Sequence, residues 1–461
     1  MNPPAPTTCA DPAALITFPD PGVQEAVLTA LKKTDPAELT CQTVFRLKRL
    51  KLTGPVTTLD GLDQALSLTT LELKDAGLTS LEFFVPLSIT KLDVSGNQLT
   101  DLRPLASLTT LTTLDVSKNQ LTGLSGLETL EALTQLKATD NLLSDLTALQ
   151  PLGNLQTLQL SNNQLSDLSP LASLGALTTL NVSGNQVSDL SPLQTLGQLS
   201  SLNISKNTVS DLGPIAALPL VSLDASSNTI TDVSMLAGNT TLTTLRLNSN
   251  QISDVTALSG LPLTELRLAS NPVADPAALA QTLQTLGQLQ TLDAKGTGLT
   301  DLSVLSGLTS LTSLGLGTNK ITDISPLGSL TALTTLRLES NQIEDVSALT
   351  ELSQLTTLDL TRNNLSNVIA LGGLDKLSDL SLGRNQLSDV FALGNLTALE
   401  TLELDQNNLR DIEILAVLPA LTKLTLQDNC LDTNSPATQE TLAALEAKLG
   451  GLELGAQENC Q

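Results

Sequence analysis

The fold that this sequence predicts is an α/β solenoid, with a parallel β-sheet on its concave face and single turns of 3₁₀ helix on its convex face. Three observations lead there. A 22-residue phrase repeats almost without a break, as LTTLDVSKNQLTGLSGLETLEA from Leu111 and as LTTLNVSGNQVSDLSPLQTLGQ from Leu177. Its first half fits L-x-x-L-x-L-x-x-N-x-L, room for one short strand such as Leu114-Asp115-Val116. Its second half reads x-D-L-S-P-L-x-x-L, and only about ten residues then remain before the next strand, too few for a full helix.

The asparagines set the register. Asn97, Asn119, Asn141, Asn163, Asn185 and Asn207 are each 22 apart, and Asn228, Asn250 and Asn271 follow at 21, 22 and 21. Asn319, Asn341, Asn363, Asn385, Asn407 and Asn429 resume the spacing of 22, with Thr297 in the intervening slot and Ala76 in an earlier one. With a worn first copy at Leu47, Leu50 and Leu52, about 18 coils result. No coil can bury its leucines alone, so stacking of neighbours drives folding, with strands about 4.8 Å apart. The asparagine turns the chain out of the strand, and its amide can satisfy backbone groups that the turn leaves unpaired. The row of amides is read as a structural ladder.

The template is the signature of a leucine-rich repeat. The fuller phrase N-x-L-x-D-L-x-P-L-x-x-L-x-x-L-x-x-L-x-L resembles the repeat of the internalin-type bacterial leucine-rich proteins over roughly residues 15–429. Phe18-Pro19-Asp20, followed by an apolar helical pattern, resembles the internalin N-terminal cap. The resemblance implies a leucine-rich repeat right-handed superhelix, capped at both ends, secreted or surface-attached, that binds a partner through its concave face. The sequence departs from the best-known members in having no immunoglobulin-like domain after the repeats and no anchor motif.

The elements follow in order. Residues 1–46 are expected to form an N-terminal helical cap, 47–429 the solenoid and 430–461 a C-terminal helical cap. Asp20 and Pro21 start a helix with Val23, Val27, Leu28 and Leu31 on one face, and Asp35-Pro36-Ala37-Glu38 starts a second short turn. From Asn271 to Thr297 the step is 26 residues instead of 22, and Asp275-Pro276 opens a stretch that reads as an α-helical turn or two on the convex side, with the sheet continuous through it. Ser435-Pro436 starts the last helix and Gly450-Gly451 stops it.

Cysteine placement speaks to compartment. Cys9 and Cys41 flank the first cap, Cys430 and Cys460 the last, and none lies between. Four cysteines allow three pairings, but with the caps at opposite ends only Cys9–Cys41 and Cys430–Cys460 are geometrically reasonable. Two disulfides point to an oxidising compartment, and the alternative is four buried thiols in a cytosolic protein. Zinc lacks its ligands, since there is no His and no close cysteine pair. Met1-Asn2-Pro3-Pro4 has no charged n-region or apolar core, so a signal peptide is read as already removed and the location as extracellular or cell surface.

Composition excludes several functions. The net charge of −24 repels nucleic acid and anionic membranes, and no apolar run is long enough for membrane insertion. Without His, Ser-His-Asp and Cys-His catalysis are impossible, and no phosphate-binding glycine loop is present. The chain is read as no enzyme, with no cofactor and no metal. A column of aspartates four residues past the ladder, including Asp101, Asp145, Asp167, Asp189 and Asp323, invites a calcium reading. One carboxylate per coil is too few for that ion, so each is read as capping its own turn.

Function should lie at template positions three, five, seven and eight, on the concave face. In the first half these are small and polar, as at Thr113, Asp115, Thr157, Gln159, Thr179 and Asn181, and no Phe falls on any of them. Interfaces rely on Trp, Tyr and Arg, and the first two are absent here. Five of the nine arginines sit on concave positions of later coils, Arg246, Arg267, Arg337, Arg362 and Arg384, and Lys295 joins them. One reading makes this strip the binding surface for a partner that presents carboxylates. The other makes it solvated pairing with Glu265, Asp293, Glu339 and Asp359. The function expected is adhesion or protein–protein interaction by a monomer, with a protein or glycan ligand. A passive envelope spacer, and ice or mineral binding by threonine rows, are the alternatives.

Overall fold

The structure is a computed structural model that describes residues 11–52, 54–81, 88–452, 454, 455 and 457. It divides into two compact units, residues 1–229 and 230–461. Each is a leucine-rich repeat stack: three-residue parallel strands on one side, short 3₁₀ turns on the other and leucines between.

In the first unit α1 (Pro21–Leu31), followed by the short α2 (Cys41–Val44), begins as expected. The Asp20 Oδ1 accepts the amides of Gly22 and Val23 at 2.9 and 3.1 Å, and Pro21 takes the first helical position, where its missing N–H costs nothing. The other carboxylate oxygen accepts the amide and hydroxyl of Thr57 at 2.7 and 2.8 Å. One buried side chain thus starts the helix and ties it to a segment 37 residues away. Val23 and Val27 are fully buried where α1 packs on β1 (Arg49–Lys51). From β1 to β9 (Ser222–Asp224) the strands pair in parallel and in register, Leu50 beside Leu71 and Leu114 beside Leu136. The central leucine of each strand points inward, and its two neighbours face solvent.

The second unit repeats the scheme from β10 (Thr244–Arg246) to β18 (Lys423–Thr425). The four extra residues before Thr297 are absorbed as α3 (Pro276–Gln284), capped by Asp275 and seated through Leu279 and Leu283. The sheet runs past it unbroken, with Leu266, Leu292 and Leu314 in register. The insertion lies on the side where segment length is free, whereas the strand side is held by its hydrogen bonds. At the C-terminus α4 (Pro436–Leu449) ends at Gly450 in the left-handed conformation (φ 75°), which glycine adopts without a Cβ penalty.

The asparagine ladder bridges coils. The Asn119 Nδ2 donates to the carbonyls of Val116, in its own coil, and Val94, in the preceding one, while its Oδ1 accepts the Leu99 amide. Asn341 repeats this with Leu338, Leu316 and Ile321. Thr297 is buried too, but its hydroxyl donates only within its own coil, to the Ala294 carbonyl. The aspartate column forms Asx turns: Asp167, Asp189, Asp254 and Asp323 each accept the amide two residues on, at 2.8–2.9 Å. The aspartate sits one residue ahead of the position read from the sequence, since a leucine, valine or isoleucine occupies the N-cap.

A second column had no counterpart in the sequence reading. The residue just before each ladder position has positive φ, as in Lys118 (56°), Ser340 (58°), Arg362 (60°) and Arg384 (59°). Few of these are glycines, so composition hid the turn. The conformation is held by bonds between coils, such as the Arg362 amide to the Gly383 carbonyl at 2.8 Å.

Cys41 and Cys430 are buried near the two ends of the chain, and their expected partners, Cys9 and Cys460, lie outside the described residues. Both disulfides remain proposals. Each would close a loop of about 30 residues and stabilise its end by roughly 2–4 kcal/mol. Intact mass after alkylation, with and without reduction, should show no free thiol in the native protein and four after reduction. Four thiols alkylated without reductant would reject both pairs and the oxidising compartment with them.

Candidate functional site

On the strand face of the first unit several acidic and amide side chains are occupied by their own backbone. Asp93, Asp115, Asn181 and Asn203 each accept the amide two residues ahead, at 2.9–3.0 Å. Such side chains have spent an acceptor locally and offer a partner little.

The strand face of the second unit differs. Of the six basic residues singled out from the sequence, Arg246, Arg267 and Arg337 lie on its strands and Lys295, Arg362 and Arg384 just past strand ends, and the structure sorts them into two groups. Arg246 grips Glu265 with two bonds, Nε–Oε1 at 2.8 Å and Nη2–Oε2 at 3.1 Å, and the Arg267 Nε reaches the same Oε1 at 2.6 Å. Hydrogen bonding to Arg246 first, and to Arg267 after it, holds the Glu265 carboxyl below its ordinary range despite burial. Lys295 pairs with Glu339 at 2.6 Å, which pushes the ammonium pKa up. The pairing reading therefore describes these three.

It does not describe the rest. Among the described residues Arg337, Arg362 and Arg384 form no ion pair, and all three are exposed. Asp359, in register with Arg337 on the next strand, gives an oxygen to the Thr361 amide at 2.9 Å instead. Arg362 and Arg384 lie beyond the strands, in the left-handed column, where the side chain leaves the rim of the sheet.

Between the groups is a notch that the sequence reading missed. One coil carries Gly315 and Gly317 at positions five and seven, where most other coils have polar side chains. They leave a cavity of about 200 Å³ bordered by Arg267, Asp293, Lys295, Arg337 and Glu339. The Lys295–Glu339 pair crosses it, joining residues 44 apart in sequence. A Cβ on Gly317 would collide with the Glu339 carboxylate, so only glycine leaves room for the crossing. The Glu339 Oε2 is buried and, among the described residues, has no hydrogen-bond partner. The notch thus combines arginine donors with an unsatisfied acceptor, a setting for hydrogen-bonding recognition. Among the described residues no cluster of His, Cys, Asp or Glu is placed to hold a metal ion, and no helix is long and apolar enough to cross a membrane.

Comparison with known proteins agrees with this architecture. The family model "Leucine Rich repeats (2 copies)" matches residues 153–195, 220–260 and 287–329. "Leucine rich repeat" models match 309–365 and 331–387, and also 86–102 and 107–128. No curated protein matches the chain in sequence. Among solved structures, internalin C2 of Listeria monocytogenes is 32% identical, over 56% of this chain and 94% of that one, with a TM-score of 0.34. Internalin F of the same organism is 29% identical, over 90% of this chain and 98% of that one, with a TM-score of 0.41. The plant peptide hormone receptor RGFR1 in complex with RGF2 shares the fold at 20% identity, over 90% and 80% of the two chains, with a TM-score of 0.60. The fold is typical of protein-binding modules, and its proteins are generally scaffolds without catalysis. With its asparagine-registered 22-residue coils and its matches to leucine-rich repeat models along the chain, this is a leucine-rich repeat protein, similar in sequence to the internalins.

Proposed function

We propose that this chain is a secreted or cell-surface binding module that recognises a protein partner through the strand face of its second unit. The helical segments 1–46 and 430–461 serve as end caps, and the first unit, where several strand-face acceptors are used by the chain's own amides, serves as a spacer. The observation that carries the reading is that Arg337, Arg362 and Arg384 are exposed and, among the described residues, form no ion pair, with Arg337 on the border of the Gly315–Gly317 notch. A guanidinium pairs bidentately with a carboxylate, so the segment recognised is acidic. RGFR1, of the same fold, is seen in complex with RGF2, and a peptide segment of a partner protein is the ligand that suits a shallow strand face.

A labelled oligo-glutamate peptide is the direct probe. It should bind at low ionic strength despite the −24 charge of the chain, and weaken as salt is added. Reversing Arg337, Arg362 and Arg384 to Glu should weaken binding at least about tenfold, the scale of one lost charge-assisted bond. Reversing Lys118 and Lys206, on the first unit, should leave it within about twofold on the same scale. No binding by the native chain, or equal effects of the two sets, would remove the site from this strip.

A further inference from the structure

The 3₁₀ side of the second unit changes character in its last coils. Six residues past the ladder the slot holds Ser234, Thr256, Ser303, Ser325 and Ser347, then Ile369 and Phe391. Ten past it, Gly307, Ser329, Gly373 and Asn395 give way to Val417. Ile369, Phe391 and Val417 are 76, 72 and 62% exposed, in a protein whose core leucines are almost completely covered. A lone exposed apolar residue is ordinary, but neighbouring coils breaking a polar column on one face are not. Phe391, Ile414 and Val417 line a groove of about 350 Å³, and Ile414 lies against Gly394, where a Cβ would collide with it. The rim is acidic throughout: Asp389, Asp411 and Glu413 border the groove, and among the described residues no Lys or Arg lines it. Asp389 and Asp411 each use one oxygen to accept an amide, from Phe391 and Glu413, at 2.7 and 2.9 Å.

We infer that this groove is a second docking surface, for a cationic amphipathic segment of another protein. An apolar side chain would fill the space between Phe391 and Val417, and flanking Lys or Arg would meet the rim carboxylates, the groove mode of peptide recognition. Charge complementarity selects this occupant. A second copy would bring carboxylates against carboxylates in a chain of net charge −24, and an anionic lipid surface would be repelled by the same rim. The site lies on the opposite side of the coils from the strand face and does not depend on it.

The test uses the full chain and a labelled amphipathic Leu/Lys peptide, with a Ser/Lys peptide of equal charge as its partner probe. The Leu/Lys peptide should bind at least roughly tenfold more tightly, and Phe391→Ser with Val417→Ser should remove that advantage. Ser347→Ala, on the same face outside the groove, should leave it intact. Both altered residues are mostly exposed, so the fold is retained, which far-UV circular dichroism checks. Equal affinity of the two peptides, or Leu/Lys binding untouched by the double change, overturns the inference. So does a concentration-dependent dimer of the peptide-free chain that the double change abolishes, since the occupant would then be a second copy.

Discussion

Asn341→Ala should lower the unfolding free energy by about 2–4 kcal/mol, because each buried backbone group left unpaired costs roughly 1–3 kcal/mol. Its amide oxygen accepts the amides of Ile321 and Asn319 at 2.9 and 3.1 Å, and its nitrogen donates to the carbonyls of Leu338 and Leu316. Alanine supplies none of these bonds, and the site is too enclosed for water to replace all of them. Since the lost bonds join neighbouring coils, the damage falls on the interface term that makes a repeat stack cooperative. Urea unfolding followed by circular dichroism should therefore show a lower midpoint, and a smaller slope if the stack splits into independently melting parts. Asn154→Ala is the control: Asn154 is exposed, donates one bond to the Glu131 carbonyl, and should cost within about 0.5 kcal/mol. Equal effects at the two positions would reduce the ladder to a feature of sequence without energetic weight.

Asp20→Ala should cost a similar amount, about 2–4 kcal/mol, made up of a lost N-cap and the stranded amide of Thr57. Its effect should be local, read as faster amide exchange at Val23 and Val27 in α1. The pH dependence has a definite sign. Burial alone would raise the Asp20 pKa, but the bonds from Thr57, Val23 and Gly22 together outweigh it and hold the folded value below the ordinary 3.8. A carboxyl with a depressed folded pKa contributes fully above its unfolded value, and the contribution fades as pH falls through the folded one. The gap between native chain and variant should thus be constant at neutral pH and close below about pH 4. A gap that persisted unchanged in strong acid would mean that the protonated side chain suffices.

Much of the coil was legible in the residues, because each feature repeats. Asn119 and Asn341 occupy one slot in the same phrase, and a slot occupied by asparagine again and again while its neighbours vary must meet one backbone need. The aspartates at Asp167 and Asp323 announced their turns for the same reason, and Asp275-Pro276 announced α3. The site was less legible, since recognition depends on departures from the repeat. Gly315 and Gly317 stood in plain view, but their meaning comes from Glu339, which crosses them to reach Lys295. Nothing in the spacing tells an arginine that is held, such as Arg246 on Glu265, from one that is not, such as Arg337. The left-handed column escaped because Lys118, Ser340 and Arg362 are not residues that signal positive φ.

From the order of its residues alone this chain could be read as a stack of 22-residue coils with strands on one side and 3₁₀ turns on the other. Leucine at the strand centre and asparagine at its end satisfy needs that recur with the backbone, and such needs are visible as periodicity. Only the folded arrangement decided which charges cancel, where two glycines open a notch, that Asp20 clasps Thr57, and that Ile369, Phe391 and Val417 come out on one face. Those outcomes turn on side chains of different coils meeting across a few ångströms while lying about twenty or more residues apart in sequence. The repeat prescribes that the coils stack, and the partners met across the stack depend on individual side chains that the repeat leaves free.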